Sequence, residues 1–240
     1  SMPLPTIAAP TYDLVLPSTG EELQFRPFLV REEKLLVLAL ESEDPKQITT
    51  AIKTVIKNCI LTDGIKVEFL PTFDIEYLFL NIRGKSVGEE IEVNVLCPDD
   101  EETYVPVTIN IDEIKVKKND KHDRLIKIDS SIAMEMKYPS LEQFIKSNFD
   151  FSGENNVEQS FDLIATCISQ ILTAEETWDL DSVPKDEVIA FLDQMNSSQF
   201  KLIEKFFETM PKLSHDIEVT NPNTKVTSTV VLEGLSSFFA

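Results

Sequence analysis

Residues 90–111 read EIEVNVLCPDDEETYVPVTINI, and this stretch is the strongest guide to the fold class. On each side of the central CPDDEET, β-branched residues alternate with other side chains at a period of two. That period is typical of β-strands, and a polar segment containing proline is typical of a turn. The sequence therefore predicts a β-hairpin, or ribbon, whose tip begins at Cys97.

The residues before this ribbon predict a small hairpin and three helices. Tyr12–Leu16 and Glu22–Phe28 predict two strands. Strong helix formers fill Arg31–Leu40, and Asp44-Pro45 predicts an N-cap followed by proline at the first position of a second helix. Pro71–Gly84 predicts a third helix, which we expect to stop at the glycine.

The residues after the ribbon predict further helices and a second ribbon. Apolar residues recur at helical spacing in Val157–Leu172, in Pro184–Met195 and in Asn196–Met210. Ile217–Leu232 predicts a hairpin around a turn at Asn221-Pro222. Both ribbons are thus built around a turn in which proline is the second residue.

We therefore predict an α+β fold of helices with two β-ribbons. Residues 2–131 would form an N-terminal α/β lobe with the small hairpin, the first helices and the first ribbon. Residues 138–240 would form a mainly helical C-terminal lobe that ends in a β-hairpin and a short C-terminal helix. The polar stretch Lys115–Ser131 would separate the two lobes.

The composition is that of an acidic globular protein. The chain has 240 residues, of which 42% are hydrophobic, and a net charge of −20 from 42 acidic and 22 basic residues. Because a surface of this charge repels phosphate groups, we expect no nucleic-acid partner. No run of 18 apolar residues and no signal peptide is evident, so we expect no membrane partner. Three widely separated cysteines indicate reduced thiols in a cytoplasm.

No pattern of residues indicates catalysis or a cofactor. The six glycines form no phosphate-binding loop, and no serine lies in a G-x-S-x-G motif. The cysteines and the two histidines form no close pairs of the kind that zinc requires. The acidic residues Asp99–Glu102 lack the glycine and the spacing of an EF-hand. We therefore expect no catalytic residue, no cofactor and no bound metal.

Adjacent phenylalanines near the C-terminus are the predicted interface residues. Phe206-Phe207 and Phe238-Phe239 place two rings about 100° apart on a helix, so both can face a core only inside a wide apolar stripe. Two interpretations stay open: both rings face the core, or one points outward as an interface anchor. We expect the tail, with Leu235, Phe238 and Phe239, either to dock on the Phe206-Phe207 helix or to anchor a partner.

Three blocks of sequence carry a resemblance to a known family. The blocks are Phe25–Phe28 followed by Glu33–Leu36, Pro71–Leu80 followed by Ile82-Arg83 and Lys85–Glu89, and Phe200–Pro211 followed by the hairpin from His215 and by Leu232–Phe239. In this order they resemble the T4-type bacteriophage baseplate protein family, which is linked to assembly of the central baseplate hub.

The resemblance implies a non-enzymatic protein that contacts other phage tail and baseplate hub proteins, as a hub component or as an assembly chaperone. It implies a location in the host cell cytoplasm during assembly, or in the tail baseplate of the virion. The alternative is an acidic binding module, or a DNA-mimic-like inhibitor, that acts on a host protein. In some relatives the hairpin tips carry Cys-Pro-x-Cys pairs and resemble zinc knuckles. Here the first tip keeps only Cys97, and the second reads NPNT at Asn221–Thr224.

We predict that the purified protein contains no stoichiometric zinc, because the hairpin tips lack paired cysteines. Elemental analysis should give well below one zinc per chain, and a chelator should leave the melting temperature unchanged. About one metal ion per chain, removed by chelator with a loss of stability, would contradict this prediction.

Overall fold

The computed structural model describes residues 2–141, 143, 145 and 157–238. Its backbone divides into two compact units. The terminal unit comprises Ser1–Val116 with Leu213–Ala240, and the central unit comprises Lys117–Lys212. No helix in the described ranges is long and apolar enough to cross a bilayer.

Helices and strands follow one another along the chain in no regular order. In chain order the elements are β1 (Tyr12–Val15), β2 (Glu22–Phe25), α1 (Val30–Ser42), α2 (Pro45–Cys59), α3 (Thr72–Val87), β3 (Glu90–Leu96), β4 (Tyr104–Asn110), β5 (Lys115–Lys117), β6 (Leu125–Lys127), β7 (Ala133–Met136), α4 (Val157–Thr166), β8 (Ile168–Leu172), β9 (Thr177–Asp179), α5 (Lys185–Asp193), α6 (Ser197–Thr209), β10 (Lys212–Thr220) and β11 (Thr227–Glu233). Short 3-10 helices span Val67–Phe69, Ile111–Glu113, Leu180–Ser182 and Leu235–Phe238.

Local signals in the sequence set several of these boundaries. The Asp44 carboxylate accepts the Lys46 backbone N–H at 3.0 Å and caps α2, which begins with Pro45. At the start of α6, Asn196 and Gln199 exchange two hydrogen bonds between side chain and backbone, at 2.9 and 3.0 Å. Both caps satisfy N–H groups that have no partner within the helix.

The described residues of the terminal unit form three small sheets and three α-helices. β1 pairs with β2, and β3 pairs with β4 over its whole length, which confirms the first predicted ribbon. β10 pairs with β11 and lies beside β5 in a sheet of order β11-β10-β5. α2 packs against both α1 and α3, and its buried side chains are Ile48, Ala51, Ile52, Val55, Ile56 and Cys59.

The sequence predicts that α3 stops at Gly84, but the helix does not end there. The helix continues to Val87, and Gly84 lies where it passes Ile111. A Cβ at this position would lie 2.5 Å from the Ile111 Cδ1 atom, which is closer than real Cβ contacts. The glycine therefore permits close packing of the helix rather than its termination.

The predicted fold of helices with two β-ribbons and a mainly helical C-terminal lobe is wrong, because it lacks the sheet of the central unit, although the two ribbons themselves are present. The structure is mixed α+β, and the strands of the described residues lie in four small sheets. The central unit holds a four-stranded antiparallel sheet of order β6-β7-β8-β9. Val157–Leu172, predicted as one helix, is helical only to Thr166, and Ile168–Leu172 is an inner strand of this sheet.

The physical reason is an ambiguity in the apolar pattern. Ile164, Ala165, Ile168 and Ile171 fit the spacing of a helix, but a short apolar run can equally form a buried strand. Here β7 and β9 supply backbone hydrogen bonds on both sides of β8, and the isoleucines pack into the core of the unit. Tertiary contacts thus override the local pattern.

The division into separate lobes stays a prediction, and limited trypsin digestion tests it. We expect the first cuts between Lys117 and Lys127, because residues 117–121 are all exposed and residues 118–124 lie outside helices and strands. The two fragments should still elute together under native conditions, since β10 and β11 belong to the same compact unit as residues 1–116. Replacing the lysines at positions 117, 118 and 121 by glutamine should remove the cuts after those residues and leave only those after Arg124 and Lys127. Resistance in this segment would contradict the prediction, if a second digestion with a protease of broad specificity cuts first within Val157–Leu172, which contains no lysine or arginine for trypsin.

Candidate functional site: the paired hairpin tips and the outer face of α1

The tips of the two ribbons share one backbone geometry. In the first tip (Cys97–Thr103), the Glu101 N–H donates to the Cys97 carbonyl at 3.0 Å. In the second tip (Asn221–Val226), the Lys225 N–H donates to the Asn221 carbonyl at 2.8 Å. Glu101 and Lys225 both adopt a positive φ, 54° and 66°, which is uncommon outside glycine. The two tips therefore share a five-residue turn that ends at a residue with positive φ, although the first tip is one residue longer.

Side chains of the two tips bind each other directly. The Asn221 amide is fully buried, and its Nδ2 donates to Asp100 Oδ2 at 2.8 Å and to Asp99 Oδ1 at 3.1 Å. The Thr224 hydroxyl donates to Asp99 Oδ2 at 2.6 Å. Asn223 Nδ2 adds a bond to the Thr103 hydroxyl at 3.1 Å. We call this set of contacts the tip clasp.

The clasp keeps its two carboxylates ionised. The Thr103 hydroxyl, the Glu102 N–H and the Asn221 amide hold the pKa of Asp100 well below its usual range. The Thr224 hydroxyl, followed by the Asn221 amide, lowers the pKa of Asp99. Hydrogen bonds to an ionised acceptor are stronger than those between neutral groups. The negative first tip thus attracts the donors of the second.

The clasp does not fit a zinc ion. Of the side chains at Cys97, Asp100, Asn221 and Thr224, only one is a thiol. Desolvation, and then the two neighbouring carboxylates, raise the pKa of the Cys97 thiol, whereas zinc binds the thiolate. The Asn221 Nδ2 atom points its hydrogens at Asp99 and Asp100, so the donors and acceptors satisfy one another. In the part of the chain that the structure describes, no three His, Cys, Asp or Glu side chains are placed to hold a metal ion.

Two of the predicted interface residues, Phe206 and Phe207, lie on α6 in the central unit. Phe206 is 2% exposed, and its ring centroid lies 5.1 Å from that of His122 and 5.7 Å from that of Tyr138. Phe207 is partly buried, with its ring edge-on to Phe206 at 5.1 Å. Phe206 is thus a core residue of this unit.

His122 is locked into this core as a neutral ring. Its Nδ1 lies 2.9 Å from the Thr209 hydroxyl, which itself donates to the Lys205 carbonyl at 2.7 Å. Nδ1 must therefore carry the proton, and Nε2 accepts from the Tyr138 hydroxyl at 2.9 Å. Burial lowers the pKa of His122, which favours this neutral form. The ring serves packing, and its two nitrogens are already bonded.

The predicted tail residues Leu235 and Phe238 lie in the terminal unit. Both are buried, in the 3-10 helix Leu235–Phe238. The Leu235 N–H donates to Glu76 Oε2 at 2.7 Å, and burial raises the pKa of Glu76 to about 7. Phe239 lies outside the described residues. The structure thus places Phe206 and Phe207 in one unit and Leu235 and Phe238 in the other, and their role at an interface stays a prediction.

A surface that the sequence analysis missed lies on α1. Glu32, Leu36 and Ala39 form its buried side. The opposite side carries Val30, Lys34, Val37, Leu38 and Glu41, all exposed and all within a sector of about 100°. We call these five residues the outer face of α1. The valines are 71% and 50% exposed and the leucine 65%, so the helix is apolar on both its buried and its exposed side.

A buried carboxylate holds the first turn of α1 in place. Glu32 is 1% exposed and pairs with Arg26, with the Arg31 Nε at 2.8 Å and with the Leu29 N–H at 3.1 Å. Burial acts to raise the pKa of Glu32, but these hydrogen bonds outweigh it and the pKa is lowered. The outer face therefore lies on a helix with a fixed N-terminus.

Comparison with known proteins finds one family. The family model described as T4 bacteriophage base plate protein matches residues 9–240, nearly the whole chain. Neither the curated proteins nor the solved structures contain a match.

We predict that Asp100→Asn lowers the melting temperature by a few degrees at pH 7, because it removes the charge that the clasp donors bind. The folded-state pKa of Asp100 is depressed, so this stabilisation is present above the ordinary value of about 3.9 and is lost as the pH falls further. The deficit relative to wild type should therefore be constant above about pH 5 and shrink below about pH 4.

Glu101→Gln is the matched control, since its exposed side chain in the same tip makes no hydrogen bond to the described residues. Asn221→Asp should be more harmful than Asp100→Asn at pH 7, because it places a third carboxylate against two others. The role given to the clasp would be contradicted if Asp100→Asn had the melting temperature of the wild type at pH 7, or if the difference in melting temperature grew towards about pH 3.

Proposed function

Since the chain belongs to the T4 bacteriophage base plate protein family, we propose that it acts in assembly of the baseplate hub, through protein contacts and without catalysis. It is either a subunit of the hub or a factor that helps the hub to form. Its place of action is the host cytoplasm during assembly, and its partners are other tail and baseplate hub proteins.

The observation that carries this proposal is the outer face of α1. Soluble monomers rarely expose large contiguous apolar patches, and Val30, Val37 and Leu38 line the exposed side of this helix. Burying the exposed parts of Val30, Val37 and Leu38 would contribute about 1 kcal/mol each. Those side chains gain this free energy only when another protein surface covers them.

The polar clusters of the chain support a role without catalysis. Ser18 donates its N–H to buried Asp74 at 3.0 Å and its hydroxyl to the same carboxylate. His122 has both ring nitrogens bonded, and the carboxylates of the clasp face Asn221. A general acid, base or nucleophile must instead present its reactive atom to a substrate. These groups serve the fold.

The net charge bears on the class of partner. With 42 acidic against 22 basic residues, the chain repels nucleic acid. It favours partners whose contact surface is apolar or basic. The same charge suits an acidic module that binds a host protein, so the experiment below is designed to separate the two roles.

We predict that Leu38→Glu blocks baseplate assembly without unfolding the protein. Leu38 is 65% exposed, so the substitution should change the stability of the isolated chain by less than about 0.5 kcal/mol. A buried charge at the contact should abolish binding. The measurement is the yield of complete tails, by electron microscopy, in infected cells in which the variant replaces the wild type. Val231→Glu is the matched control, because Val231 is 51% exposed but lies on β11.

Quantitative mass spectrometry of the same lysates separates a subunit from an assembly factor. A hub subunit should remain in purified virions at a fixed ratio to other tail proteins. An assembly factor should be bound to sedimented baseplate intermediates and be absent from virions. Association with a host polymerase or nuclease, and with no tail protein, would overturn the proposed function in favour of the acidic binding module.

A further inference from the structure

The outer face of α1 has a charge pattern that is complementary to itself. Val37 and Leu38 lie at its centre, Lys34 lies three residues before Val37, and Glu41 lies three residues after Leu38. The two charges are about 10 Å apart along the helix axis. Both are exposed, and neither forms an ion pair with any residue in the described ranges.

We propose that this face binds the same face of a second copy of the chain, with the two α1 helices antiparallel. The two-fold axis passes midway between Val37 and Leu38. It places Lys34 of each copy opposite Glu41 of the other, and Val37 opposite Leu38. Two ion pairs then flank a small apolar centre made of four side chains, as an interface between identical surfaces requires.

Charge is the reason that a second copy fits here. Lys34 and Glu41 cancel, so the outer face has no net charge although the whole chain carries −20. Repulsion between two copies is therefore weaker here than over the rest of an acidic surface. A parallel arrangement would instead set Lys34 against Lys34 and Glu41 against Glu41. Only the antiparallel pairing satisfies both charges from the residues of this chain.

The size of the face limits the strength of the dimer. α1 has 13 residues and presents one side, so the contact lies below the roughly 1,200 Å² that separates standard from weak interfaces. We therefore expect a reversible dimer with a dissociation constant on the order of 10–100 µM. A weak contact of this kind can be exchanged for a partner surface during assembly. The inference uses the same face as the proposed function, but its test needs only the purified protein.

Sedimentation equilibrium of the purified chain tests the inference. The measurement should cover about 1 to 500 µM protein, at about 0.15 M salt, where the Debye length is about 8 Å. The wild type should dimerise in this range. Lys34→Glu and Glu41→Lys should each weaken dimerisation about tenfold or more, because each sets like charges opposite one another at both ends of the contact. The variant with both substitutions should dimerise like the wild type, since the exchange restores opposite charges.

Matched charge reversals elsewhere control for net charge. Lys66→Glu and Glu204→Lys change the net charge by the same amounts at exposed positions outside α1 and should leave dimerisation unchanged. Circular dichroism melting confirms that each variant is folded. A wild type that is monomeric throughout overturns the inference and leaves the baseplate role untouched. A dimer that ignores the single reversals, or that the double exchange does not restore, overturns the antiparallel pairing as well.

Discussion

The hydrogen bonds of the buried Asn221 amide join the two chain segments that make up the terminal unit. The amide binds the carboxylates of Asp99 and Asp100 in a tip more than a hundred residues away in sequence. Closing so long a loop has an entropic cost, although that cost grows only slowly with loop length. The clasp offsets it with several hydrogen bonds to ionised acceptors, each stronger than a bond between neutral groups. Together with the pairing of β10 with β5, it makes one compact unit from two distant segments.

Other buried polar groups of the chain are also paired by hydrogen bonds. The buried carboxylates of Glu32 and Asp74 accept hydrogen bonds from arginine and from serine, and the partly buried carboxyl group of Glu76 accepts one from the Leu235 backbone. A buried charge is tolerated when it is paired in this way. These carboxyl groups therefore hold helix ends and the Leu235–Phe238 segment in place. The outer face of α1, in contrast, is exposed.

Sequence reasoning succeeded where the signal was local. The ribbon of β3 and β4 follows from alternation and a turn, and the caps at Asp44 and Asn196 follow from short-range hydrogen bonds. It failed at Ile168–Leu172, because that strand exists only when distant strands lie on both sides of it. The contact between the ribbon tips could not be predicted from the sequence either, because the residues of each turn specify its own backbone but not the segment that it contacts. The outer face of α1 was missed for a related reason: exposure of Val37 and Leu38 depends on which side of the helix packs inward. The ordered blocks of residues, in contrast, identified the family correctly.

The discontinuity of the terminal unit has a consequence for synthesis on the ribosome. Residues 1–116 are made before β10, β11 and the donors of the second tip, which lie in residues 212–233. The central unit is complete before then, because all of its elements lie in residues 117–212. Domains generally fold as units in the order in which they appear, so the inner segment folds ahead of the unit that encloses it in sequence. A chain truncated before residue 213 therefore lacks the strands that complete the unit that carries α1.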